Sequence, residues 1–146
     1  AGDEAALRSA YANAGVPAHV APFCHEMETV YSVADLMVAR SGAASLSEIA
    51  HYGIPSLLIP YPYAAEDHQQ LNAEIFARAG AATVLKETEI TGEALGNLIR
   101  SLVDNRDRLG TMASHCQALA PGDAAAQVAD VVERAARGQP VARQPA

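Results

Sequence analysis

The sequence predicts an α/β domain in which a parallel sheet is covered by helices. Apolar segments typical of buried strands alternate with amphipathic segments of helical periodicity along the chain. The run P-S-L-L-I-P at 55–60 is almost wholly apolar, as expected for a strand buried on both faces of a parallel sheet. Alternating strands and helices form βαβ units with right-handed crossovers. A length of 146 residues suits one such domain.

The first third of the chain predicts two helices and two strands. A helix is expected over 3–14, with Gly15 as its C-terminal cap, because Leu7 and Tyr11 lie four residues apart on one side. The next segments are a strand over 18–23, a helical turn or two over 26–32 and a strand over 35–40.

The stretch V-A-R-S-G-A-A-S-L-S-E at 38–48 predicts a strand, a tight turn and a helix. The helix is expected over 45–52 and should stop at Gly53. Such a unit places backbone N–H groups and the positive end of a helix dipole at the carboxyl end of a strand, where anionic ligands commonly bind. The pattern alone indicates a candidate phosphate or nucleotide site.

The second half predicts four helices and one strand. The apolar residues Leu71, Ile75, Phe76 and Ala79 are expected to face the core from the first of these helices. The segments are a helix over 66–79 closed by Gly80, a strand over 82–85, a helix with Thr91 as N-cap, helices over 106–119 and 123–137, and a tail over 138–146. Four strands are few for a doubly wound domain, which indicates that a first βαβ unit is missing.

Composition and charge exclude several classes of function. The net charge is −7, and Lys86 is the single lysine beside nine arginines, so nucleic acid is not an expected partner. Cys24 and Cys116 lie far apart without a C-x-x-C motif, which argues against a disulfide framework or a zinc site and favours a reducing, cytoplasmic setting. No apolar stretch approaches the roughly 18 residues that would span a bilayer.

The segment 40–73, which begins R-S-G-A-A-S-L-S-E and ends D-H-Q-Q-L-N-A, resembles the C-terminal domain of the MurG family. These enzymes are the UDP-N-acetylglucosamine:lipid I N-acetylglucosaminyltransferases of peptidoglycan synthesis. The runs A-G-A-A at 79–82 and V-A-P-F at 20–23 extend the similarity to about residues 5–137. The resemblance implies a Rossmann-like parallel sheet with flanking helices, as the nucleotide-sugar-binding C-terminal domain of a GT-B glycosyltransferase, over 1–137.

Two features of that family have no counterpart in this sequence. The family's donor domain opens with a G-G-S-x-G loop after its first strand, and its acceptor-binding N-terminal domain precedes that loop. The resemblance therefore implies a partial domain, and we expect no turnover from these 146 residues alone. It implies no cofactor, no metal ligand and no catalytic residue within this chain.

The resemblance also implies a set of substrate-binding residues. Glu48 matches the acid that accepts hydrogen bonds from both ribose hydroxyls, although S-x-x-E with Ser45 is equally typical of a helix capping box. Arg40 would form a positive wall near the diphosphate, or would be a solvated charge or a partner of Asp35. The full set is Cys24, Arg40, Ser41, Gly42, Glu48, His68, Gln69 and Asn72.

The other members of this set have distinct expected roles. Gly42 is expected as a turn glycine that lets backbone approach the ligand, and Cys24 to matter by its place where the family reads uracil through backbone groups. His68, Gln69 and Asn72 share one side of a helix through their i, i+3 and i+4 spacing. They are expected to contact the sugar or phosphate, with an ordinary polar surface patch as the alternative.

The function implied by the resemblance is inverting transfer of N-acetylglucosamine from UDP-N-acetylglucosamine to lipid I. The general base and lipid I would be held by the missing N-terminal domain, which would also make the contact with the cytoplasmic face of the membrane. One alternative is a stand-alone catalytic subunit that pairs with a separate acceptor-domain protein. Another is a nucleotide-sugar-binding or epimerase-like α/β protein without transferase activity.

Overall fold

A computed structural model describes residues 3–64, 67–120 and 122–140, and these form two compact units that meet in sequence at Val33 and Ala34. The first unit holds α1 (Asp3–Asn13) and α2 (Met27–Val33). The second holds β1 (Met37–Ala39), α3 (Ala43–Tyr52), β2 (Ser56–Leu58), α4 (His68–Arg78), β3 (Ala82–Val84), α5 (Gly92–Val103), α6 (Arg106–Ala118) and α7 (Ala124–Ala136). Helices and strands thus alternate as predicted.

The three strands form one parallel sheet in the order β1-β2-β3, which confirms the predicted α/β class. The register is flush, because Ala39 pairs with Leu58 and Leu58 with Val84 at the last position of each strand. All three strands therefore end in one row. The loops that leave them begin side by side at the carboxyl edge of the sheet.

The strand predicted over 18–23 is wrong, since this segment has no strand structure. Pro22 carries no amide proton, so the segment lacks one of the donors that a sheet ladder needs. The carbonyl of Val20 accepts a hydrogen bond from the Arg8 guanidinium at 2.6 Å instead. The sheet of the described residues consequently has three strands, and each is three residues long.

The core of the second unit lies between the sheet and helices α5 and α6. Leu57 of β2 is fully buried and packs with Leu102, Leu109 and Met112. Burial also raises the pKa of the Cys116 thiol, whose Sγ donates to the Ile49 carbonyl of α3 at 3.5 Å. The cysteine is thus a buried packing residue that joins α6 to α3.

The face of α4 that meets the core differs from the prediction. Phe76 faces the core as predicted and is 7% exposed, but its neighbour there is the fully buried Ala73, whereas Leu71 and Ile75 are 56% and 53% exposed. The helix carries two apolar stripes, one formed by residues three apart and one by residues four apart. The sequence could not choose between them, because that choice depends on how α4 packs against β3.

The residues that the sequence predicted at helix ends are confirmed there. Gly53 ends α3 in the left-handed conformation, with φ of 64°, and Gly15 has the same conformation after α1. The hydroxyl of Thr91 accepts a hydrogen bond from the Ala94 amide at 3.1 Å and so caps α5. Within the described part of the chain, no helix is long and apolar enough to cross a membrane.

Candidate functional site

The turn after β1 leads into a helix N-terminus at the carboxyl edge of the sheet. Gly42 is the N-cap of α3 and, as a glycine, has no side chain that could cap the first-turn amides. A Cβ built on Gly42 would have no described atom within 4 Å. The space beside Gly42 is therefore open, and the N-terminus of a helix is a favourable position for an anion.

The conformation of Gly42 does not itself require glycine. Its φ of −67° and ψ of 142° are extended values that any residue adopts. The left-handed conformation that would demand glycine occurs at the other end of α3, at Gly53. The close approach of a ligand to Gly42 thus stays a prediction, supported by the open space beside it.

Ser41, Gln69 and Asn72 form a hydrogen-bonded network between the turn and α4. The buried Ser41 hydroxyl donates to the Gln69 carbonyl at 2.7 Å, and Nδ2 of Asn72 donates to the Ser41 carbonyl at 3.2 Å. The Gln69 side chain accepts a hydrogen bond from the Tyr61 amide through Oε1 at 3.0 Å. The structure thus brings together four of the predicted residues, counting Gly42 beside Ser41.

Arg40 lies along the row of strand ends and contacts the loops that leave both β2 and β3. Its Nη1 donates to the carbonyls of Ile59 and Pro60, both at 3.2 Å, and to Oε2 of Glu87 at 2.9 Å. The guanidinium carbon lies 5.6 Å from the centre of the Tyr61 ring. The hydrogen bond from Arg40 holds the pKa of Glu87 below its ordinary value, so the carboxylate is ionised at neutral pH.

Of the two simple alternatives for Arg40, the pairing with Asp35 is wrong. Arg40 is an exposed residue, and its guanidinium pairs with Glu87 at the strand ends at 2.9 Å. Asp35 pairs with Arg106, at 3.1 Å between Oδ1 and Nη1. The sequence could not show the Glu87 pairing, because the two residues are 47 positions apart. One signal was available: residues of opposite charge come after two parallel strands, and the carboxyl ends of such strands share one edge.

The capping-box alternative for Glu48 is also wrong. The N-cap of α3 is Gly42, and Ser45 lies inside the first turn of a helix that begins at Ala43. A serine in that position cannot serve as the N-cap of the helix. The exposed Glu48 is therefore not explained by a helix start, and its contact with ribose stays a prediction.

The remaining predicted residues are His68 and Cys24. His68 is exposed and is the first residue of α4, after an N-cap, Asp67, with φ of 53°. Such a left-handed conformation in a residue other than glycine is strained and often marks a functional segment. Cys24 is a half-buried free thiol in the first unit, between α1 and α2.

Two cavities lie beside the hydrogen-bonded network. One of about 400 Å³ is lined by Tyr61, Asp67, Gln70 and Glu87, among others. A second of about 270 Å³ includes Ala43 and Asn72 in its lining. Tyr61, Asp67 and Glu87 were not among the residues that the sequence predicted for the site. Among residues 3–64, 67–120 and 122–140, no group of three or more histidine, cysteine or acidic side chains could hold a metal ion.

A parallel α/β sheet with a helix N-terminus and amide side chains at its carboxyl edge is an arrangement common in nucleotide-binding domains. The chain belongs to glycosyltransferase family 28, because the family's C-terminal domain matches residues 1–134. This membership confirms the resemblance found in the sequence.

Curated relatives and a solved structure support the same family assignment. The enzymes of Brucella anthropi and Brucella canis named UDP-N-acetylglucosamine–N-acetylmuramyl-(pentapeptide) pyrophosphoryl-undecaprenol N-acetylglucosamine transferase are each 37% identical over 139 residues. These matches cover 95% of this chain and 37% of each relative. The crystal structure of Acinetobacter baumannii MurG superposes with a TM-score of 0.83 and 33% identity, covering 91% of this chain and 40% of that one.

Proposed function

We propose that this chain is the donor-binding half of an inverting glycosyltransferase that moves N-acetylglucosamine from UDP-N-acetylglucosamine to lipid I in peptidoglycan synthesis. The observation that carries the proposal is the open, uncapped N-terminus of α3 beside the row of strand ends. An acceptor hydroxyl attacks the anomeric carbon while UDP leaves, and negative charge then builds on the β-phosphate. The α3 amides and dipole stabilise that charge.

The hydrogen-bonded network determines which side-chain atoms of Gln69 and Asn72 are available to contact a sugar. Because Oε1 of Gln69 is bound by the Tyr61 amide, the side chain presents its NH2 group as a donor. Because Nδ2 of Asn72 is bound to the Ser41 carbonyl, this side chain presents Oδ1 as an acceptor. One donor and one acceptor on the same side of α4 suit a hydroxyl, which both accepts and donates. This supports recognition of the sugar by the two amides.

Lipid I, the general base and the contact with the cytoplasmic face of the membrane belong to the rest of the enzyme in this proposal. The chain spans 37% of the length of its curated relatives, which carry the matching segment within a longer polypeptide. This favours a two-domain transferase over a stand-alone subunit paired with a separate acceptor-domain protein. Membership of a glycosyltransferase family favours it over a binding protein without transferase activity.

The Glu48→Gln variant tests the donor site. Losing charge-assisted hydrogen bonds to two ribose hydroxyls should weaken UDP binding by roughly 1.5–3 kcal/mol per bond at most. The melting temperature should stay close to that of wild type, since Glu48 does not start its helix. The measurement is calorimetric titration of UDP into the full-length protein.

A matched control is Glu93→Gln, which neutralises an exposed carboxylate in the first turn of α5. This variant should bind UDP as wild type does. Equal UDP affinity in Glu48→Gln and wild type would remove Glu48 from the donor site. Wild-type protein that binds no UDP at all would overturn the proposed function itself.

A further inference from the structure

Arg40 and Glu87 are connected to the Gln69 side chain by an unbroken series of hydrogen bonds. We propose that these two residues position the carboxamide of Gln69 for sugar recognition and that Arg40 makes no contact with the diphosphate. This inference deepens the proposed function and rests on it, because it assigns the site's specificity for the sugar to residues outside the binding surface. It also changes the role that the resemblance implies for Arg40.

The connection runs through one peptide group. Nη1 of Arg40 donates to the Pro60 carbonyl, and the amide of the same peptide, that of Tyr61, donates to Oε1 of Gln69. A trans peptide is planar, so its C=O and N–H point in opposite directions and turn together. Holding the oxygen on one side therefore fixes the direction in which the N–H meets Gln69.

Glu87 in turn fixes Arg40. One guanidinium nitrogen serves the carbonyls of Ile59 and Pro60 as well as the Glu87 carboxylate. The carboxylate lies 2.9 Å away and compensates the positive charge. A guanidinium whose charge is compensated by a nearby carboxylate attracts a phosphate less strongly than an unpaired guanidinium does.

The main chain of Gln69 is held separately from its side chain. The buried Ser41 hydroxyl donates to the Gln69 carbonyl at 2.7 Å. Gln69 is thus anchored at its backbone by the residue after Arg40 and at its side chain by the peptide that Arg40 holds. With both ends fixed, the NH2 group of Gln69 has one direction left in which to donate, which is the condition for discriminating a sugar hydroxyl from its epimer.

Glu87→Gln distinguishes positioning from direct phosphate contact, because the two roles predict opposite results. If Arg40 positions Gln69, the variant weakens UDP-N-acetylglucosamine by about three- to tenfold and leaves UDP unchanged, as expected for one loosened hydrogen bond. If Arg40 instead contacts the diphosphate, removing its carboxylate partner leaves its charge uncompensated and strengthens UDP binding. Tighter UDP binding by Glu87→Gln would therefore overturn the inference.

Glu89→Gln is the matched control, since Glu89 lies two residues further along the same loop and pairs with Lys86 at 2.9 Å. It should leave both affinities unchanged. In a double-mutant cycle, Gln69→Ala should remove the effect of Glu87→Gln on the sugar nucleotide, because both changes act on one contact. Additive effects of the two substitutions would contradict positioning.

A readout without ligand separates this inference from the proposed function. Hydrogen exchange of the Tyr61 amide, followed by NMR in the free protein, should speed up in Arg40→Lys and Glu87→Gln but not in Glu89→Gln. If wild type fails to bind UDP-N-acetylglucosamine while exchange responds in this way, the proposed function is wrong. The result would still support coupling of Arg40 and Glu87 to the Tyr61 amide. If wild type binds and Tyr61 exchange is unaffected, the positioning inference alone is overturned.

Discussion

At the scale of single residues, Gly42 is notable because the backbone tolerates any side chain there while the space beside it is open. A helix N-terminus ordinarily gains from a Ser, Thr, Asp or Asn side chain that caps a first-turn amide. α3 does without one. Under the proposed function, a bound phosphate would take the position that a capping side chain would otherwise occupy.

Gly42→Ser should therefore separate stability from binding. Serine is a better N-cap than glycine by a few tenths of a kcal/mol, so the melting temperature should hold or rise slightly. UDP binding should weaken, because the new hydroxyl would occupy a first-turn amide and fill the space of the phosphate. Thermal unfolding and UDP titration of the full-length protein check the two halves. A variant with unchanged UDP affinity would show that the phosphate does not lie on α3.

The sequence predicted the positions of the candidate site residues better than their hydrogen-bond partners. Gly42, Gln69 and Asn72 do lie around one turn and one helix start, because motif order and strand topology determine that placement. The partners of Arg40 and the hydrogen-bonded side-chain atoms of Gln69 and Asn72 depend on contacts between residues that lie 8 to 47 positions apart in sequence. Such contacts leave no local pattern.

At the scale of elements, the C-terminal end of α3 is a constrained junction. Gly53 has φ of 64°, and a Cβ there would lie 3.3 Å from Cβ of Gln117 and 3.4 Å from the Ala113 carbonyl oxygen, both on α6. The left-handed conformation favours glycine at this point, and a Cβ would also require Gln117 to shift by a few tenths of an ångström. These distances also explain how closely α6 approaches the end of α3.

Gly53→Ala should lower the free energy of unfolding by about 1–2 kcal/mol, since it combines left-handed strain with a tight contact. Gly96→Ala supplies the control, because Gly96 lies inside α5 and its Cβ would meet no described atom within 4 Å. That variant should gain roughly 0.5–1 kcal/mol. Urea unfolding of both variants gives the comparison, and a neutral Gly53→Ala would contradict the packing argument.

Elements were predictable where their signals are local. Thr91 and Gly53 act within three or four residues of the helix ends that they define, so the sequence indicates both. The segment 18–23 and the outer stripe of α4 were predicted wrongly for the opposite reason. Whether a strand pairs, and which stripe of a helix is buried, is decided by neighbours elsewhere in the chain.

At the scale of the whole molecule, we expect the purified 146-residue chain to give no transferase turnover. The proposed reaction needs an acceptor site and a general base, and the chain spans 37% of its curated relatives. Labelled UDP-N-acetylglucosamine with a lipid I analogue should yield product at background level with this chain. The full-length protein is the positive control. Clear turnover by residues 1–146 alone would refute the division of labour between two halves.

The flush ends of the three strands restrict where the chain can change in length. One residue advances a strand by about 3.3 Å. This shift is similar to the 3.2 Å between Nη1 of Arg40 and the Ile59 carbonyl, just after the flush strand ends. A residue inserted between Leu58 and Tyr61 would move the Pro60 carbonyl beyond the guanidinium and turn the Tyr61 amide away from Gln69. Natural variation in length should therefore collect after Tyr61, in the loop toward α4, and spare the few residues that leave the sheet.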